Sequence, residues 1–176
     1  MTLEEIRALD AGEGEKIPLL EEVLDIICGK TYLFLELKAR GVAARAVEEI
    51  KERDMIDDTL FLSFYVEDLQ EVIKLSPNAQ LGFAYEHFPT ELFEARRVGA
   101  QVVLPQYRLA TRRTVEIARQ LNMLTVAWIV NDPQIAVRLR GIGVNGVVSD
   151  RPDIIMSAVG RRLKTTLPRP SDISLR

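Results

Sequence analysis

Residues 32–38 read Tyr-Leu-Phe-Leu-Glu-Leu-Lys, and the fold turns on how this run is placed. It is short, aromatic and aliphatic, and almost continuously apolar, as a strand covered on both faces should be. Five further runs of the same kind follow: 59–65 (TLFLSFY), 79–85 (AQLGFAY), 101–105 (QVVLP), 124–132 (LTVAWIVND) and 144–150 (VNGVVSD). Amphipathic segments separate them. In 43–53, Ala43, Val47 and Ile50 recur at helical spacing with Glu48, Glu49 and Lys51 elsewhere on the cylinder. Segments 68–75, 90–98, 112–121 and 133–139 read likewise. Asp132 before Pro133 predicts a helix start, a capping carboxylate followed by proline at the first helical position. The run Asp150-Arg151-Pro152-Asp153 reads as another strand-to-helix turn.

Strands alternating with helices predict βα units on a parallel sheet. The strand runs begin at 32, 59, 79, 101, 124 and 144, a regular step without a long crossover, which favours a (β/α) barrel over a doubly wound sheet. The expected fold class is therefore α/β, with about six of the eight parallel βα units of a (β/α)8 barrel. Only two helical pieces, 2–9 and 19–27, precede residue 32, so the two units not seen are expected to be the N-terminal ones. The expected organisation is one incomplete barrel domain over 1–160 and a flexible basic tail over 161–176. Strands 32–38 and 144–150 would then be open edges, through which the chain is expected to self-associate or to take up an N-terminal segment.

The 176 residues carry 23 basic and 26 acidic side chains, a net charge of -3 that gives no field for nucleic acid, and no such partner is expected. No uncharged apolar run reaches the ~18 residues of a membrane span. A single cysteine, Cys28, excludes an internal disulfide framework and fits a cytoplasmic setting; within VLDIIC it reads as a small buried hydrophobe.

In a barrel strand, alternate side chains face the interior and the helix layer. Leu33, Leu35 and Leu37 suit the helices, which turns Phe34, Glu36 and Lys38 inward. A carboxylate and an ammonium near the C-terminal end of a strand lie where barrel enzymes hold their chemistry. The competing reading is a rim ion pair without a role. Ser63, closing an apolar strand, offers a hydroxyl either to a ligand or to its own turn. Trp128 and Asn131 sit at a strand end as a candidate ligand wall, against a core role for the indole. His87, in YEHFP, reads as an incidental loop residue. Pro105 terminates its strand, and the paired arginines 96–97, 112–113 and 161–162 read as solvated faces. No P-loop, GxGxxG, HExxH or GxSxG occurs.

The runs IPLLEEVLD (17–25), FLELK (34–38), LSF (62–64), WIVND (128–132) and GVVSDRPD (146–153) together resemble the glycerophosphodiester phosphodiesterases, in order and spacing, from residue 3 to about 160. That resemblance implies a TIM barrel hydrolysing glycerophosphodiesters to glycerol 3-phosphate and an alcohol, with a divalent cation (magnesium or calcium) as cofactor. It implies that Glu36 is a metal carboxylate and Lys38 the basic, phosphate-stabilising residue beside the phosphate. Lys38, Ser63, Trp128 and Asn131 are then the candidate substrate-binding residues. The family's HRG, ExD and HD elements lie ahead of the part resembling residues 2–9, and His87 matches neither family histidine. The chain alone is therefore expected to lack activity and to bind cation weakly or not at all. The alternative is a non-catalytic, phosphate-ester-binding or interaction remnant of the same fold.

Overall fold

The computed structural model describes residues 1–87 and 91–160, and the tail expected over 161–176 lies outside them. Six strands form one parallel sheet in sequential order: β1 (Leu33–Glu36), β2 (Thr59–Ser63), β3 (Gln80–Tyr85), β4 (Val102–Pro105), β5 (Leu124–Ala127) and β6 (Gly146–Val147). Helices α1 (Leu3–Arg7) and α2 (Leu20–Ile27) precede the sheet. Each strand is followed by a helix: α3 (Ala43–Glu52), α4 (Val66–Leu75), α5 (Glu91–Val98), α6 (Arg112–Gln120), α7 (Pro133–Gly141) and α8 (Pro152–Ala158). Every strand pairs with the next in sequence, which is how a (β/α) barrel progresses, so the α/β partial barrel read from the spacing is the fold observed.

The two faces of the sheet separate by parity. Leu33, Leu35 and Leu37 pack with Phe61, Leu81, Phe83 and Val103 against Val47, Ile50, Leu69, Val72 and Leu92 of the helix layer. The opposite face carries Leu60, Leu62, Ala84, Val102 and Leu104, flanked by Phe64, Val126 and Trp128, and forms the barrel interior. A third cluster joins Ala127 to Ala136 and Leu139 of α7 and Ile155 of α8. Asp132 caps α7 as expected, accepting the Gln134 amide at 2.7 Å with Pro133 in the first turn.

Some elements differ from the sequence reading. Helix α4 begins at Val66, two residues early, and the runs at 124–132 and 144–150 contribute strands of only four and two residues. Beyond Ala127 the pairing thins to single contacts while the chain stays apolar: Trp128 bridges Gln106 in parallel register, its amide donating to the Pro105 carbonyl, and the Val130 amide donates to that of Val148. Cys28 is exposed, not buried. Helix α2 docks through Leu20, Leu24 and Ile27, whereas Cys28 is its C-cap with non-helical dihedrals, and its Sγ turns to the Arg53 carbonyl oxygen at 3.7 Å.

Candidate functional site

Because the strands are parallel, their C-terminal ends open at one mouth. The inner-face parity of β1 brings Glu36 there, and Lys38 follows two residues later on the same face. Their charged groups stand 3.6 Å apart, with Lys38 78% exposed and Glu36 32%. Both line a two-lobed cleft. One lobe, about 430 Å³, is walled by Phe34, Phe64, Glu86, Trp128 and Ile129. The other, about 460 Å³, runs over Tyr65 and Ala84 to Glu86 and His87. The structure thus brings Glu36, Lys38 and Trp128 together, and places His87 beside them.

Trp128 is half-buried, and its indole N–H donates to the Leu104 carbonyl oxygen at 2.6 Å. With its only donor occupied, the side chain offers a ring surface to the cleft, not a hydrogen bond. Phe64 packs against it in a T-shaped pair, centroids 5.5 Å apart and planes at 82°.

Asn131 and Ser63 are engaged elsewhere. The Asn131 carboxamide donates to Asp150 Oδ2 at 2.8 Å, and its Oδ1 accepts the Ser149 hydroxyl and the Asp150 amide. It therefore ties the loop after β5 to the loop after β6 at the rim. Ser63 is fully buried. Its Oγ lies 3.1 Å from the Leu37 carbonyl oxygen and 2.9 Å from Asp68 Oδ2, and accepts the Tyr65 amide at 3.1 Å. Of the two readings of Ser63, this hydrogen bonding within its own turn is the one realised, and the expectation that it offers a hydroxyl to a ligand is corrected. Asp68 in turn faces Arg40 at 3.6 Å, and the Arg40 guanidinium lies over the Tyr65 ring at 4.2 Å. This chain of contacts holds the segment carrying Lys38 against the start of α4.

Sequence reasoning passed over Glu86. Gly82 and Ala84 are inner-face residues of β3, so period two carries on to Glu86, and that count was the available signal. Its carboxylate lines both lobes, and among the described residues it has no hydrogen-bond or ion-pair partner.

A model of the glycerophosphoryl diester phosphodiesterase family matches residues 1–154. The chain belongs to that family. A glycerophosphodiester phosphodiesterase of Caldanaerobacter subterraneus subsp. tengcongensis is 29% identical over 172 residues, covering 90% of this chain and 71% of that protein. Among solved structures, an Oleispira antarctica phosphodiesterase in complex with the product sn-glycerol-3-phosphate superposes with a TM-score of 0.83 at 26% identity, covering 90% of this chain and 70% of that one. A glycerophosphodiester phosphodiesterase of Parabacteroides distasonis gives 0.78 at 21% identity, covering 90% and 71%. The family and the barrel implied by the FLELK and WIVND resemblance are thereby shown.

The family resemblance implies a divalent cation, and the donor set tests whether it fits. Hard cations take about six oxygen ligands. Glu36 supplies one carboxylate, and among the described residues no group of three or more His, Cys, Asp or Glu side chains is placed to hold a metal ion. The described residues do not by themselves make a cation cage. No helix among them is long and apolar enough to cross a membrane.

Proposed function

We propose that these 176 residues bind the phosphate group of a glycerophosphodiester at the Glu36–Lys38 mouth, and that by themselves they do not hydrolyse it. The observation that carries this reading is the pair itself. An exposed ammonium stands at the C-terminal rim of a parallel barrel sheet, steadied by a carboxylate 3.6 Å away, with an aromatic wall beside it. Lys38 would place its charge on the phosphoryl oxygens as an exposed point charge. Glu36 would orient that ammonium and offer one oxygen to a cation. Trp128 and Phe64 would cover the carbon skeleton, and Asn131 would hold the two rim loops in register. The bound sn-glycerol-3-phosphate of the Oleispira antarctica relative supports a ligand of this class.

The histidines of the HRG and HD elements, which the family resemblance implies for turnover, do not occur in this sequence. Displacement at a phosphodiester needs a base for the attacking water and an acid for the leaving alkoxide, each worth roughly 10²–10⁴-fold. The chain has one histidine, His87, followed by Phe88, so neither HRG nor HD occurs in it. Phosphoric diester hydrolysis in glycerophospholipid metabolism, in a reducing cytoplasm, is the setting we assign to the whole site, once an HRG, ExD and HD segment supplies the remaining groups. The domain assignment, 1–160 as an incomplete barrel unit, belongs to the same proposal.

Titration with sn-glycerol 3-phosphate, followed by NMR, tests the binding reading: shifts at residues 36–38 and 128 that vanish in Lys38→Ala support it. Hydrolysis of glycerophosphocholine with magnesium, calcium or manganese, lost in Glu36→Ala, would overturn the claim that this chain does not turn over.

A further inference from the structure

The charge in the cleft is not balanced for a simple anion. Lys38 is the one lysine or arginine lining it among the described residues, and Glu36 already faces that ammonium. Glu86 adds a second carboxylate, which among the described residues has no hydrogen-bond or ion-pair partner. A phosphodiester carrying one negative charge would satisfy Lys38 and leave Glu86 exposed to like charge. A zwitterionic diester satisfies both, because its cationic alcohol can approach Glu86 while its phosphate stays at Lys38.

The surroundings of Glu86 fit such a head group. Phe64 and Trp128 share the lobe with it, their rings paired near-perpendicular with centroids 5.5 Å apart. The indole N–H is fixed on Leu104, so the Trp128 ring is held in place without a ligand. Aromatic faces beside a carboxylate attract alkylammonium groups by cation–π and charge interaction, and alkylammonium ions desolvate more readily than small ions.

We propose that Glu86, with the Phe64 and Trp128 rings, selects glycerophosphodiesters whose alcohol is a cationic amino alcohol. This rests on the phosphate-binding reading of Lys38 and deepens it.

The test is calorimetric titration of the 176-residue chain with three probes: sn-glycerol 3-phosphate, glycerophosphocholine and glycerophosphoglycerol. Glycerophosphocholine should bind about tenfold tighter than glycerophosphoglycerol, and E86Q should remove that preference while leaving sn-glycerol 3-phosphate affinity within about twofold. W128L should narrow the preference in the same direction. Equal affinity for the two diesters, or a preference that survives E86Q, overturns the selection role while leaving phosphate binding intact. Absence of binding by all three probes overturns both readings. Manganese affinity is measured alongside: a tenfold loss in E86Q would make Glu86 a cation ligand and also overturn the proposal.

Discussion

Ser63 and Asp68 meet at 2.9 Å in a buried seam behind the cleft, one ending β2 and the other in the first turn of α4. Asp68 is only 4% exposed, and its other neighbour is the Arg40 guanidinium. A buried carboxylate is tolerable when it is both hydrogen-bonded and paired, and here one strand end and one loop supply those partners. The seam also reaches the Leu37 carbonyl, immediately before Lys38.

Removing the hydroxyl should therefore loosen the segment that aims Lys38. Ser63→Ala is expected to cost about 1–3 kcal/mol, the penalty for leaving buried polar groups short of a partner. Urea denaturation should show a lower midpoint with unchanged slope. A wild-type midpoint would show that the Tyr65 amide and Asp68 find equivalent partners without it.

Much of the fold was legible because it depends on parity and local chemistry. The alternation Leu33, Leu35, Leu37 against Phe34, Glu36, Lys38 is written in six consecutive residues, and the Asp132–Pro133 cap in two. What was not legible depends on where chain segments meet. Asn131 reads as a polar strand-end residue, but its partners lie 18 and 19 residues on, across the β6 loop. The Ser63–Asp68 contact crosses a strand-to-helix turn that hydrophobic period does not encode. Cys28 was misread because it directly follows the apolar stripe of α2, at the C-cap where the backbone leaves the helix and turns the side chain out. Glu86 stands next to the chain's single histidine, and residue type drew attention away from position.

Gly82 makes the barrel interior close-packed. It pairs with Leu62 and Val102 on the inner face, where an added Cβ would lie 2.8 Å from Leu104 Cδ1, 3.0 Å from Leu60 Cδ2 and 3.1 Å from Leu62 Cβ. The Leu104 methyl can swing away, but the Leu62 Cβ is fixed to its strand. Gly82→Ala should thus destabilise by about 1–3 kcal/mol, outweighing the entropy that alanine removes from the unfolded chain. Thermal unfolding followed by circular dichroism measures this. A raised melting temperature would show that strands β2 and β4 part without cost.

Tyr32 makes stability sensitive to alkaline pH. Burial, with a smaller contribution from Asp58 and Asp57, pushes its phenol up to about 12, and its hydroxyl donates to Gln80 Oε1 at 2.6 Å. The folded state therefore favours the neutral phenol. That contribution is fully present below the ordinary tyrosine value of about 10 and is lost as pH rises from there through about 12. The comparison that isolates Tyr32 is with Tyr32→Phe. Urea midpoints of the wild type should fall more steeply than those of the variant across this window, and parallel curves would remove Tyr32 as the cause.

The last expectation concerns the two ends of the sheet. Among the described residues β1 pairs only with β2, and β6 only with β5, so each presents backbone donors and acceptors on one side. Between them lies a cleft of about 600 Å³ lined by Phe34, Val126, Val147, Val148, Ile155 and Met156. Phe34 is 41% exposed and Val148 38%, on the face that the other strands bury. Unpaired edges beside exposed apolar side chains are templates for strand addition, since pairing satisfies the backbone and removes the apolar surface from water at once. The 176-residue chain is expected to self-associate through them. Light scattering after size-exclusion chromatography should give a mass above one chain that rises with concentration. Phe34→Lys together with Val148→Lys should lower it, because an inward-pointing ammonium at each edge must be desolvated before a strand can add. A monodisperse monomer of 19.9 kDa with a sharp thermal transition would instead show that a six-strand partial barrel stands alone.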